Sequence, residues 1–202
     1  PPCDRIVLLR KYTSMKFSIY PLLLAIMISA QSIAQTPFNF SVDLQQKTIT
    51  GLPGLHSYAF AQYQGKWLLV GGRLDGIHAR QPFNSFPENS NNSSLYVVDI
   101  TNQAFWSANL STLPPGIREQ LQSTNMNFLQ DGDTLFIIGG YAYSQSAGTH
   151  LTFPNLTSIE VPALMDAIIS GNPITPYFKQ ITDDIFAVAG GQLQKLSDRF
   201  YL

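Results

Sequence analysis

The residue types best suited to recognising a polar ligand lie in two long segments of the sequence. The first loop, residues 73–92, and the second loop, residues 141–155, each follow a pair of glycines. Guanidinium, carboxylate, phenol and imidazole groups hydrogen-bond to sugars and peptides, and loops carry such groups more often than the scaffold does. The candidate ligand-binding residues are Arg73, Asp75, His78, Arg80, Tyr141, Tyr143 and His150. The competing interpretation is that they are ordinary solvated loop side chains.

Catalytic chemistry has little support in the sequence. No nucleophile with a matched base and no phosphate-binding loop is visible, so we predict no catalytic residue and no cofactor. His78 and His150 could share a metal ion, but no carboxylate or third histidine stands at ligand spacing, and no metal site is predicted. The single cysteine, Cys3, precedes the predicted mature chain, which excludes a disulfide and a thiolate nucleophile from that chain.

Two short apolar strands that end in glycine pairs would position the two loops. "KWLLVGG" ends in Gly71-Gly72, and "TLFIIGG" ends in Gly139-Gly140, 68 positions later. A glycine pair can be a simple turn, because glycine adopts positive φ at little cost. Recurrence of the whole layout favours a structural repeat instead.

Aligning the polar turns adds a third copy of the same pattern. Three segments read as strand, short turn, strand: residues 58–69, 126–137 and 190–202. Trp67, Leu135 and Phe200 are equivalent in this register, which assigns Gly190-Gly191 to the preceding strand. Further strands are predicted at 93–100, 104–110, 156–161 and 175–181, with a short helix at 161–171. Each complete unit therefore offers four strands, the organisation of a β-propeller blade.

These motifs resemble kelch repeats, which combine an apolar run ending in Gly-Gly, a strand with an aromatic residue, a tryptophan and a final segment that contains proline and arginine. The matching residues are Gly71, Gly72, Gly139, Gly140, "LYVVDI" at 95–100, Trp106 and "LPPGIRE" at 113–119. The sequence is most similar to secreted bacterial kelch-type proteins with long blades. The resemblance implies an all-β fold, an incomplete kelch-type β-propeller with blades at about 54–110 and 122–181. The first hairpin of a third blade would begin at about 185.

The start of the sequence has features of export. Residues 1–14 precede the first methionine, Met15, and are interpreted as upstream translated sequence. Residues 15–34 match a secretory signal peptide with a cut between Ala34 and Gln35, which leaves 35–202 as the mature part. An anchoring helix is the alternative, but the apolar core is too short to span about 30 Å of hydrocarbon. We therefore expect a secreted, periplasmic or cell-surface protein, of which this is the N-terminal part.

Composition and the resemblance together leave three classes of function open. A formal net charge of −1 with 12% charged residues argues against a nucleic-acid partner, which needs clustered Lys and Arg. The expected function is a binding or adhesion scaffold for an extracellular glycan or protein surface. The resemblance also allows a kelch-type sugar mutarotase, or a galactose-oxidase-like copper enzyme, which would need a Tyr-Cys crosslink and two histidines. Fold alone does not choose among these classes.

Overall fold

The computed structural model of the protein describes residues 40–76 and 85–202. The chain divides into two compact units, Pro1–Gln45 and Gln46–Leu202. Residues 40–45, the described part of the first unit, are exposed and have no regular secondary structure. The predictions that fall outside the described residues concern segment 1–14, the signal peptide at 15–34, the cut between Ala34 and Gln35, and the loop residues His78 and Arg80.

The second unit begins with a four-stranded antiparallel sheet whose strand order follows the chain. Its strands are β1 (Ala59–Tyr63), β2 (Lys66–Val70), β3 (Ser94–Asp99) and β4 (Ala104–Asn109). Gln62 faces Trp67 across the first hairpin, Trp67 faces Val98, and Val97 faces Trp106. All four strands lie where the sequence predicted them.

A second four-stranded antiparallel sheet follows, with a two-stranded sheet inserted in its middle connection. The four strands are β5 (Asn127–Asp131), β6 (Thr134–Ile138), β9 (Asn155–Glu160) and β10 (Phe178–Thr182). The inserted strands are β7 (Tyr141–Ser144) and β8 (Thr149–Thr152), and a final hairpin pairs β11 (Gln194–Leu196) with β12 (Arg199–Tyr201). The described chain is therefore mostly β, with four antiparallel sheets, as the predicted all-β class requires.

The helices are short. Helix α1 (Pro115–Leu121) begins with a proline, whose fixed φ suits the first helical position, and it was not predicted. Helix α2 (Val161–Ser170) has Pro162 in its first turn and ends at Gly171 with φ 70°, which confirms the predicted helix at 161–171. At ten residues α2 is the longest helix in the described ranges.

The core lies between the two four-stranded sheets and helix α2. Side chains two positions apart, such as Leu68 and Val70 on β2, point to the same face and are fully buried there. The other fully buried residues of the cluster include Leu95, Val97, Leu135, Ile137, Ile159 and Leu164. Burying each such side chain contributes about 1.5–3 kcal/mol, so this shared core holds the sheets together.

The predicted alignment of the three hairpins is confirmed. Trp67, Leu135 and Phe200 each occupy the second position of the returning strand, opposite Gln62, Gln130 and Lys195. The first strands of the two large sheets are neighbours. The main-chain N–H of Gln62 donates to Gln130 Oε1 at 2.7 Å, and Gln130 Nε2 donates to the Gln62 carbonyl at 2.9 Å.

The prediction that Gly190-Gly191 closes a strand is wrong. The preceding segment contains a 3₁₀ turn, Asp184–Phe186, and Gly190 instead matches Ser57 and Asn125, which precede the other hairpins. All three have positive φ, at 55°, 55° and 71° in chain order. Asn125 N–H donates to the Ser57 carbonyl at 3.2 Å, and Gly190 N–H donates to the Asn125 carbonyl at 2.9 Å. Gly190 therefore marks the entry into a hairpin, where the backbone is left-handed.

The two glycine pairs lie where the chain entering the next sheet passes closely. Gly72 N–H donates to the Ser123 carbonyl and Gly140 N–H to the Val188 carbonyl, both at 2.9 Å. A Cβ on Gly71 would lie 2.6 Å from the Ser123 carbonyl oxygen, and one on Gly139 would collide with the Val188 carbonyl. Close backbone approach, and not only turn formation, therefore requires glycine at these positions.

Both tryptophans pack against apolar side chains. Trp106 is half-buried against the main core, and Trp67 lies 5.0 Å from Phe60 between ring centroids in a second cluster.

Candidate functional site

The first and second loops meet along one side of the second unit. His150 Nε2 lies 2.8 Å from the Phe86 carbonyl oxygen, so Nε2 carries the proton that it donates. Gln145 Nε2 donates to Glu88 Oε1 at 2.7 Å. These contacts bring together segments about 60 residues apart in the chain.

Arg73 does not present its guanidinium to solvent, contrary to the expectation that it is an exposed ligand contact. Its side chain is fully buried. Nε and Nη2 donate to the two carboxylate oxygens of Asp75 at 3.0 and 2.6 Å. Nη1 donates to Asn91 Oδ1 at 3.0 Å, and Nη2 also reaches the Pro87 carbonyl at 3.1 Å. Arg73 therefore ties together the beginning and the end of the first loop.

Asp75 completes this buried ion pair. Hydrogen bonds from Arg73, and the charge of its guanidinium, lower the pKa of Asp75 from 3.8 to about 2, although burial opposes the shift. His56 Nε2 lies 3.4 Å from Asp75 Oδ1, and the main chain of His56 exchanges two hydrogen bonds with Arg73. His56 is thus a loop histidine before strand β1, and Asp75 is a structural anion.

The remaining described candidates form an aromatic cluster. The Phe86 and Tyr141 rings meet edge to face at 5.2 Å, and Tyr141 stacks on His150 at 5.8 Å. Tyr143 contacts the other side of the cluster, edge to face with His150 at 5.3 Å. The Arg73 guanidinium lies 5.2 Å from the Phe86 ring centroid. One contact network therefore contains every predicted site residue that the structure describes, with Phe86 as an additional link.

The second loop was predicted as irregular, and this is corrected by the β7–β8 hairpin within it. Along β7, Ala142 and Ser144 are buried while Tyr141 and Tyr143 are only partly buried. The alternation of Tyr, Ala, Tyr and Ser is the signal that could have predicted the strand. Strand β7 places Tyr143 beside an adjacent polar cleft.

This cleft has a volume of about 380 Å³ and opens between the two loops. Its walls carry carboxylates, amides, a hydroxyl and one aromatic ring. The lining residues are Glu88, Asn89, Asn91, Ser93, Glu119, Gln122, Tyr143 and Gln145. The volume lies at the lower end of the range for small-molecule sites, and convergent polar groups of this kind orient a polar ligand.

Glu119, near the end of helix α1, was not predicted as a site residue. Its carboxylate accepts hydrogen bonds from Ser144 Oγ at 2.5 Å, Ser146 Oγ at 2.5 Å and Ser146 N–H at 3.1 Å. Burial raises the pKa of Glu119, but these hydrogen bonds outweigh it, so the pKa lies below its ordinary value. Glu119 is the last residue of "LPPGIRE", and its partners lie about 25 positions away, which local patterns do not reveal.

A second cavity of about 330 Å³ has a different character. Apolar residues line it, between the second large sheet and the last hairpin: Phe136, Ile138, Leu156, Ile185, Phe186, Leu193, Phe200 and Leu202. Because this cavity offers no charged or amide side chain in its lining, we take the polar cleft as the candidate site for a polar ligand.

Residues 40–76 and 85–202 contain no group of three His, Cys, Asp or Glu residues placed to hold a metal ion. None of the helices in these ranges has the length and apolar character needed to cross a membrane.

No protein-family model and no curated protein matches the sequence. The resemblance to kelch repeats therefore rests on the motif residues quoted above.

Proposed function

We propose that this chain belongs to an exported kelch-like β-propeller that binds an extracellular glycan in the cleft between its two loops. It acts as a binding or adhesion module and not as an enzyme. The observation that carries this proposal is the cleft itself, where amides and carboxylates converge beside the Tyr143 ring.

The propeller part of the proposal is supported by repetition. Two four-stranded antiparallel sheets, each built around a hairpin and a glycine pair, recur 68 residues apart. In each, the glycine pair hydrogen-bonds to the chain that enters the next hairpin. Radial stacking of such sheets is the way in which propellers bury the faces of their blades.

A glycan suits the cleft better than a flat protein surface does. Protein interfaces of standard size bury about 800 Å² per partner on broad surfaces, whereas this site is a concave pocket of about 380 Å³. Amide and carboxylate groups hydrogen-bond to sugar hydroxyls, and an aromatic ring packs against the apolar C–H face of a sugar ring.

Binding is favoured over mutarotase chemistry by the state of Glu119. A general base works best when its pKa lies near the operating pH. Hydrogen bonds from Ser144 and Ser146 hold the pKa of Glu119 below its ordinary value, which makes the carboxylate a weak base. Its geometry suits a structural role at the wall of the cleft.

Glycan binding is tested with Tyr143→Ala. The variant loses the aromatic wall of the cleft. We therefore expect its affinity for the glycan that binds best on an array to fall about tenfold or more. A tenfold loss corresponds to ~1.4 kcal/mol of binding free energy, the contribution of one good contact. Tyr201→Ala, at an exposed position in β12 outside the cleft lining, is the matched control and should bind normally. Binding to a protein but to no glycan, or sugar epimerisation abolished by cleft variants, would contradict the proposal.

Export is tested separately. Expressed from Met15 in a bacterial host, the protein should be recovered beyond the inner membrane with Gln35 at its N-terminus, as N-terminal sequencing would determine. Recovery with residues 15–34 still attached would favour the anchoring alternative.

A further inference from the structure

We infer that the cleft selects glycans that are neutral or carry amino groups and discriminates against glycans that carry carboxylate or sulfate. This inference rests on the proposed glycan-binding function and specifies its ligand class. It follows from the juxtaposition of two carboxylates, Glu88 and Glu119, in one pocket whose described lining contains no lysine, arginine or histidine.

Glu119 supplies a permanent negative charge. It is 5% exposed, and its carboxylate is held by three hydrogen bonds from Ser144 and Ser146. Hydroxyl and amide donors of this kind stabilise the ionised form without neutralising it. The charge is therefore part of the wall, and an anionic ligand would have to enter against it.

Glu88 supplies a second negative charge that a ligand can reach. It is exposed, in the short 3₁₀ turn Glu88–Ser90, and Gln145 Nε2 donates to one of its carboxylate oxygens at 2.7 Å. A carboxylate has acceptor sites for about four hydrogen bonds. Glu88 can therefore hold Gln145 and still accept from a sugar hydroxyl or an ammonium group.

The nearby cation does not reverse this balance. Arg73 contacts Asn91 of the cleft wall, but its side chain is fully buried and makes two hydrogen bonds to the Asp75 carboxylate. The pair is neutral as a unit, and the guanidinium does not line the cleft. The charge of Arg118 also stabilises the neighbouring Glu119 carboxylate, but the Arg118 side chain does not belong to the lining either.

The uncharged groups complete the selection. Asn89, Asn91, Gln122 and Gln145 offer amide donors and acceptors that pair with sugar hydroxyls or N-acetyl groups. An ammonium group on the sugar gains attraction from Glu88 and from the face of Tyr143. A carboxylate or sulfate at the same place would meet like charge in a partly desolvated pocket, where such contacts are costly.

The test is an array of neutral, amino-bearing and acidic oligosaccharides, probed with the full chain and with two variants. We expect binding to the neutral and amino sets to exceed binding to the acidic set at least tenfold. Glu88→Gln should reduce this preference to about threefold or less, because it removes the accessible charge. Glu160→Gln, at an exposed position outside the cleft lining, should leave the preference unchanged.

The outcomes separate this inference from the proposed function. Preferential binding of acidic glycans, or an unaltered preference in Glu88→Gln, would overturn the charge selection while glycan binding stands. Absence of binding to all three sets would overturn the proposed function and this inference with it. Because Glu88 is exposed, the variant is expected to fold, and a thermal melt matching that of the native chain verifies this.

Discussion

The two loops leave their sheets at equivalent positions and are then built in different ways. Arg73 and Tyr141 both follow a glycine pair, and each exchanges two main-chain hydrogen bonds with a residue before the hairpin, His56 or Thr124. Beyond that point the first loop is held by a buried ion pair, whereas the second continues as the β7–β8 hairpin. The repeat therefore determines where the loops begin, and the side chains that follow determine their form.

The repeated backbone positions and the residues of the cleft are under different structural constraints. The glycine pairs and the hairpin entries recur because the backbone of the next sheet must pass closely at each of them. The residues of the cleft have no such constraint: Glu88 comes from the first loop, while Tyr143 and Gln145 come from the second. A scaffold of this kind can change its ligand without changing its fold.

The largest expected effect comes from breaking the shared framework at Gly139. Gly139 and Gly148 both have φ 67°, but only Gly139 has backbone atoms, of Phe186 and Val188, where a Cβ would lie. We expect Gly139→Ala to lower the free energy of unfolding by about 4 kcal/mol or more, and Gly148→Ala by about 1 kcal/mol. Urea denaturation measures both. Equal losses would mean that positive φ alone, and not close approach, selects glycine here.

The next largest effect concerns the ion pair that distinguishes the first loop. Arg73→Ala leaves the Asp75 carboxylate without its bidentate partner in a largely buried place, and we expect it to cost about 3 kcal/mol of stability. Arg199→Ala, at an exposed position on β12, should change stability by no more than about 0.5 kcal/mol. If chemical denaturation gave both variants the same midpoint, Arg73 would not be the residue that holds the loop.

The smallest effect is the response of the same ion pair to acid. Because the pKa of Asp75 is about 2 in the folded chain and 3.8 ordinarily, its contribution to stability is complete above about pH 4. It is lost as the pH falls toward 2, a decrease of about 2 kcal/mol. Asp75→Asn should flatten the dependence of unfolding free energy on pH in this window, with a remaining slope from Glu119, whose pKa is also lowered. An unchanged slope in Asp75→Asn would show that other carboxylates account for the acid response.

Much of the fold could be predicted because its signals are local. The three hairpins follow from apolar strands around short polar turns, and helix α2 follows from Pro162 and Gly171 at its ends. Helix α1 was missed because "PPGIREQL" contains a glycine, which disfavours helix, and has only two apolar residues, Ile117 and Leu121, at helical spacing. Gly190 was misassigned because the apolar run before it, residues 185–189, looks like a strand, whereas the structure has a 3₁₀ turn at Asp184–Phe186 and the backbone of Gly190 matches Ser57 and Asn125.

The site was predicted less completely. Five of its candidate residues do lie together, but the sequence could not tell the buried Arg73 from the partly exposed Tyr143, since both are polar residues in a loop. Glu119 and Glu88 carry the charge of the cleft and were missed, because each acquires its role from a partner about 25 or 57 positions away.

The sequence by itself determined the repeat of the chain: short apolar strands follow polar turns, two of these strands end in glycine pairs, and the layout recurs after 68 positions. These are properties of a residue and its immediate neighbours, so they can be read without a fold. Only the tertiary structure decided that Arg73 is neutralised inside the first loop, that Val188 excludes a side chain at Gly139, and that two glutamates share one cleft. Burial and charge pairing depend on which distant segments meet, and local sequence does not contain that information.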